Sequence, residues 1–217
     1  MKSIRLNEKV RAFRQWAEKT HPGITEDNDN GEWCFGTEFD EMYSSAVDTI
    51  STIPASDADE YMIDDMLYAI ARDNESESIM DMLTEHSEWF SLLCRASIAS
   101  PYTNAKWQFA KALAHHGSDD LKSMIYKFLD TGDEYTERMA LQSLAYIDPV
   151  QAERYAGIFW DRNKYEHDEY QKIMVLHVLY MIRSELLEKY LDIAERSDST
   201  ALRTNAQQIR QSSGRSR

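Results

Sequence analysis

A ten-residue segment recurs three times in this chain, and the recurrence limits the possible folds more than any other feature. Ala105-Lys-Trp-Gln-Phe-Ala-Lys-Ala-Leu-Ala114 aligns with Thr136-Glu-Arg-Met-Ala-Leu-Gln-Ser-Leu-Ala145 and with Gln171-Lys-Ile-Met-Val-Leu-His-Val-Leu-Tyr180. The offsets are 31 and 35 residues, the range in which stacked helical units repeat. Each copy is followed by a short polar break and a second amphipathic stretch, over Ser118–Leu129, Pro149–Trp160 and Ser184–Ala194. The pattern predicts antiparallel helix pairs from Pro101 to Arg196. Asp148 precedes Pro149, a residue suited to a first helical turn. Gly117 and Gly132 stand where a helix C-terminus takes a left-handed residue. No stretch alternates with a period of two, so the expected fold class is all-α, an α-α superhelix of antiparallel helix pairs.

The first hundred residues show helices without the repeat. Ser3–Thr20 carries Ile4, Val10, Phe13, Trp16 and Ala17 at three- and four-residue steps, and His21-Pro22-Gly23 ends it. A polar loop with Trp33 and Phe35 follows, longer than most connections. Thr37 is the expected cap of a helix over Glu38–Ile53, which Pro54 stops. Ser56 or Asp57 opens the next, Ala58–Arg72, with Tyr61, Ile63, Met66, Leu67, Ile70 and Ala71 on its apolar face. Its other face carries Asp57, Asp59, Glu60, Asp64 and Asp65. Asn74 or Ser76 starts a further helix, with Ile79, Met80, Met82 and Leu83 inward and Glu75, Glu77, Asp81 and Glu85 outward. Ser87–Ile98 is mostly apolar and should be buried on more than one side. Asp198–Gln211 reads as a polar terminal helix. The expected organisation is one domain over residues 1–217, with acidic helices over 1–98 (loop 21–37), repeats over 99–211 and a tail over 212–217.

Charge separates the same regions. Residues 1–20 carry six basic and two acidic side chains, residues 21–94 nineteen acidic and one basic, Arg72, and residues 95–217 seventeen of each. The net charge of −14 is therefore the difference between a balance of −18 in the second region and +4 in the first. A field of that sign repels phosphate backbones and anionic lipid and attracts basic proteins. No apolar run approaches the roughly 18 residues of a membrane span, and the N-terminus lacks an apolar signal core; the expected setting is cytoplasmic. Cys34 and Cys94 are too far apart for a zinc motif or a disulfide framework, and no cofactor or metal is expected.

The three aligned segments, the Asp148-Pro149 junction, and Lys106, Arg138 and Lys172 early in the first helices resemble HEAT-like and armadillo-like repeat proteins, most clearly over residues 99–210. The resemblance implies a helical scaffold that binds partners on a concave face. A few such proteins are enzymes. Those that bind iron use His-Glu dipeptides; the nearest matches here are Glu85-His86-Ser87-Glu88 and Glu166-His167-Asp168-Glu169, and neither has His directly before Glu. His115 and His116 are adjacent and point apart. The DNA glycosylases of this type need a basic groove with tryptophans, for which Trp107, Trp160, Lys106, Arg138 and Lys172 are the available residues. The zero balance of residues 95–217 argues against that groove. No Gly-rich phosphate loop, Cys-His pair or serine elbow is present.

What remains is the acidic face: Asp57, Asp59, Glu60, Asp64, Asp65, Glu75, Glu77, Asp81 and Glu85, with Trp33, Phe35, Tyr43 and Tyr61 as aromatic anchors. From Asp57 to Glu85 ten acids face the single Arg72. Such a surface repels itself unless a basic partner offsets it. The first helix, with Arg5, Lys9, Arg11 and Arg14, is a candidate for that role within the chain, and plain solvation is the simplest use of the face. The expected function is a non-catalytic protein-binding module, most concretely an immunity-type protein whose acidic face neutralises a basic bacterial toxin. The alternatives are a glycosylase-type nucleic-acid enzyme and a general adaptor.

Overall fold

The structure, a computed structural model, describes residues 2–22 and 36–215, with side chains over 5–22 and 36–212. Every regular element among them is helical, and none is long and apolar enough to cross a membrane. The N-terminal helices are α1 (Lys2–Thr20), α2 (Thr37–Thr52), α3 (Glu60–Arg72), α4 (Ser78–Thr84) and α5 (Ser87–Ser97), with a 3-10 turn at Ala55–Asp57 between α2 and α3. The remainder comprises α6 (Thr103–Ala112), α7 (Asp119–Lys122), α8 (Ile125–Phe128), α9 (Glu134–Ile147), α10 (Pro149–Asp161), α11 (Asp168–Met181), α12 (Leu187–Ala194) and α13 (Thr200–Arg215).

The recurring segments bury the same positions. Ala105, Thr136 and Gln171 are buried, as are Phe109, Ala140 and Val175, then Ala110, Leu141 and Leu176, and finally Leu113, Leu144 and Leu179. These positions fall four, five and eight residues after the first, the spacing that puts side chains on one side of a helix. The equivalent helices pack in sequence: α3 on α6, α6 on α9, α9 on α11 and α11 on α13. The others fill in between, α5 on α3 and α6, α10 on α9 and α11, and α12 on α11 and α13. Buried side chains from Leu6 to Ile209 form one core cluster, including Phe13, Phe90, Phe109, Phe128 and Phe159. Each such ring contributes about 1.5–3 kcal/mol by leaving water.

Helix ends explain how the neighbours are held. The last carbonyls of a helix have no partner within it, and here side chains from other helices take some of them. Trp89 Nε1 donates to Ile53 O just past α2 (2.8 Å), Gln108 Nε2 to Ile70 O of α3 (2.8 Å), and Ser143 Oγ to Lys111 O of α6 (3.1 Å). Asp148 alone separates α9 from α10 and accepts from Gln151 N at 3.1 Å, with Pro149 in the first turn as expected. Gly117 and Gly132 are left-handed (φ 93° and 81°). After α11 the same role falls to Arg183 (φ 54°), with Ser184 N reaching Leu179 O and Arg183 N reaching Tyr180 O. That is a Schellman ending built without glycine.

Several expected boundaries move. Gly36 (φ 98°), not Thr37, precedes α2, and glycine has no side chain with which to cap it. Asp59, not Ser56 or Asp57, caps α3, accepting from Met62 N at 2.8 Å. Neither Asn74 nor Ser76 caps α4. Glu77 stands at its start in a left-handed conformation (φ 52°), and the buried Asp73 accepts from Ile79 N at 2.7 Å. Ser118–Leu129 is not one helix. Ser123 Oγ donates to Asp120 O (2.6 Å), a local bond that competes with the helical ladder, and two single turns, α7 and α8, result.

Candidate functional site

The acidic residues divide into three groups once the helices are in place. The first group is neutralised within the chain. Helix α1 packs on α2 and α3, anchored by the buried Leu6, Val10 and Phe13. This lays its cations along their acids. Arg5 pairs with Asp48 (3.2 Å), Lys9 with Glu41 (2.8 Å) and Arg14 with Asp64 (3.5 Å). Tyr102 Oη also donates to Asp64 (2.9 Å), while Arg14 lies 3.9 Å over the ring of Tyr68. Lys111 of α6 pairs with Glu77 at 2.6 Å.

Asp65 forms the second group with Asp73. Expected on the outer face, Asp65 is instead buried at 7% exposure and accepts from Asn7 Nδ2 of α1 at 3.0 Å. The reason is that α3 is covered by both α1 and α6, so every residue from Asp65 to Asp73 is buried. Burial raises the carboxyl pKa of Asp65 above its ordinary value, against the hydrogen bond from Asn7. Burial raises that of Asp73 likewise. Neither is available to a partner.

The third group is Asp57, Asp59, Glu60, Asp81 and Glu85, all exposed. None of them forms an ion pair among the described residues. Glu75 is exposed as well. Tyr61 stands within this group. Expected on the apolar face of α3, it is 79% exposed, because it lies in the first turn, ahead of the buried run. Tyr43 is half-buried and stacked on Phe39 at 6.3 Å. Trp33, Cys34 and Phe35 lie outside the described residues. Cys94 is buried, and burial pushes its thiol up to about 12, which suits an inert core residue.

One charged cluster has no counterpart in the expected site. Glu137 is fully buried and accepts from Arg162 (2.7 Å), Lys164 (2.8 Å) and the backbone N–H of Gly132 (2.9 Å). Arg162 also donates to Gln171 Oε1 (2.8 Å) and lies 3.3 Å over the ring of Phe159. The hydrogen bond that Lys164 donates to Glu137 raises the pKa of Lys164. The cluster ties the connection after α10 to α9 and α11. Arg138, one of the basic residues available for a groove, is held by Glu134 at 3.1 Å and lies over the rings of Tyr135 and Tyr170. Burial raises the pKa of Glu134. Among the described residues no group of three or more His, Cys, Asp or Glu side chains is placed to hold a metal ion. No protein-family model, curated protein or solved structure matches this chain.

Proposed function

We propose that this chain is a non-catalytic protein-binding module, a HEAT-like α-α superhelix whose N-terminal acidic surface engages a basic protein. The observation that carries this reading is the surround of Tyr61. A tyrosine 79% exposed stands among acids that form no ion pair among the described residues. Aromatic anchors inside a charged rim are the pattern that dominates binding energy at protein interfaces. Opposite charge speeds association and rejects partners of the wrong sign. The most concrete version is an immunity-type protein in the cytoplasm, blocking a cationic toxin domain. The sequential packing of α3, α6, α9, α11 and α13 supports the superhelical architecture.

The test needs acids that do no internal work. Reversing Asp64, Asp65 or Glu77 would break contacts inside the fold, so the informative set is Asp57→Lys, Glu60→Lys and Asp81→Lys, with Tyr61→Ala alongside. A basic protein captured on the wild-type chain at low salt should bind each variant at least about tenfold more weakly, since anchor residues contribute 2 kcal/mol or more. Helicity by circular dichroism should stay at the wild-type level. Unchanged affinity in all four variants would rule out the acidic surface as the binding site.

A further inference from the structure

We infer that the basic partner inserts an arginine-bearing segment into a cleft of about 860 Å³ beside α5; this rests on the reading of a basic protein partner given above. The volume lies in the range of ligand-binding clefts and exceeds what one side chain fills, so a short stretch of chain fits it. Its lining comes from one side of α5, from the turn at Ala55 and Ser56 with Thr84, and from the segment His115–Ser118. Ser56 belongs to the turn that also carries Asp57, and Tyr61 follows in the first turn of α3. Two exposed acids of that surface, Asp57 and Glu85, are thus direct chain neighbours of lining residues, Asp57 of Ser56 and Glu85 of Thr84.

The sign of the occupant follows from its charges. One acidic and one basic side chain line the cleft, Glu88 and Arg95. The Arg95 charge is held by Asp120 at 2.6 Å, whereas Glu88 is exposed and forms no ion pair among the described residues. Asp57 and Glu85, which adjoin the lining residues Ser56 and Thr84 in the chain, are exposed and form no ion pair among the described residues, and they add to the negative charge of Glu88. An anion would enter against that field. A guanidinium carries five N–H donors and no acceptor. The lining presents hydroxyl oxygens at Ser87 and Ser91, imidazole nitrogens at His115 and His116, and the Glu88 carboxylate. Phe90, Leu92 and Leu121 line the apolar part, where the methylene stem of an arginine finds contact. The His115–Ser118 segment is held in shape by Gly117, whose added Cβ would meet Leu121 at 3.0 Å and whose φ of 93° disfavours other residues.

The test is a titration of the full chain, isotope-labelled for amide NMR, with an acetylated hexa-arginine peptide and separately with spermine. The peptide should move the amide signals of Ser87, Ser91, His115 and His116. Glu88→Gln should weaken that binding by about tenfold or more, the size of a lost charge-assisted bond. Ser91→Trp, which fills the cleft, should do the same; Glu88→Gln carries the test alone if the tryptophan variant folds poorly. Peptide shifts confined to the surround of Asp57, Tyr61 and Asp81 would overturn the cleft while leaving the acidic surface standing. Spermine moving the lining signals as strongly as the peptide would replace a protein segment with a small polyamine. No shift of the lining with either probe would also overturn the cleft, and the acidic surface would then be judged by its own charge-reversal test.

Discussion

The charges of the N-terminal surface and the charge of Glu137 do opposite work. The surface holds most of the acidity of the chain, yet its pairs, such as Lys9 with Glu41 and Arg5 with Asp48, are exposed. Exposed pairs contribute about 0–1 kcal/mol each. Glu137 is one carboxylate, fully buried between two cations and a backbone N–H. Removing one partner of a buried pair costs about 3–5 kcal/mol, because the remaining charge is left without compensation. Where charge faces water it binds the fold weakly. Where it is buried and paired it holds elements together.

The largest effect is expected at Glu137. Glu137→Ala should lower stability in urea by about 3–5 kcal/mol, and a loss under about 1 kcal/mol would put Glu137 in the same class as the surface acids. Leu144→Ala tests the apolar register on the same helix: a fully buried leucine should cost about 2–5 kcal/mol, and a much smaller loss would mean the recurring positions do not share a core. Lys9→Ala should cost under about 1 kcal/mol; a larger loss would mean that α1 is held by charge rather than by Leu6, Val10 and Phe13.

The buried acids sharpen the contrast through pH. The carboxyls of Asp65 and Asp73 are raised above their ordinary value of 3.8, so the native state keeps protons that the unfolded chain has released. Their stabilising contribution is fully present below 3.8 and is lost as pH rises through the folded-state values. Asp65→Asn should therefore gain on the wild type as pH climbs from that region toward neutrality, read from urea midpoints at a series of pH values. A constant difference at every pH would place Asp65 at the surface after all.

Much of the architecture was legible in the sequence, because buried positions recur in register at 105, 136 and 171 and at the sites four, five and eight residues later. Asp148 before Pro149 and the two left-handed glycines were legible for the same reason, as local chemistry with one structural answer. The errors on α3 have a long-range cause. A one-sided helix puts Asp65 in water, and the packing of both α1 and α6 on α3 encloses it, while Tyr61 escapes enclosure by lying one turn earlier. Glu137 left a fainter trace: its column reads Lys106, Glu137, Lys172, an acid between two bases. Its partners Arg162 and Lys164 lie more than twenty residues away, where periodicity gives no guidance.

The division of the acids into paired and unpaired sets is most directly tested by titration calorimetry with the captured basic partner, at low and moderate salt. One variant neutralises the paired set (Glu41→Gln, Asp48→Asn) and the other the unpaired set (Asp57→Asn, Glu60→Gln, Asp81→Asn). The variant of the unpaired set should lose about tenfold or more in affinity and most of its salt dependence, while that of the paired set should bind as the wild type does. Equal losses in the two variants, or a greater loss in the paired set, would contradict that division.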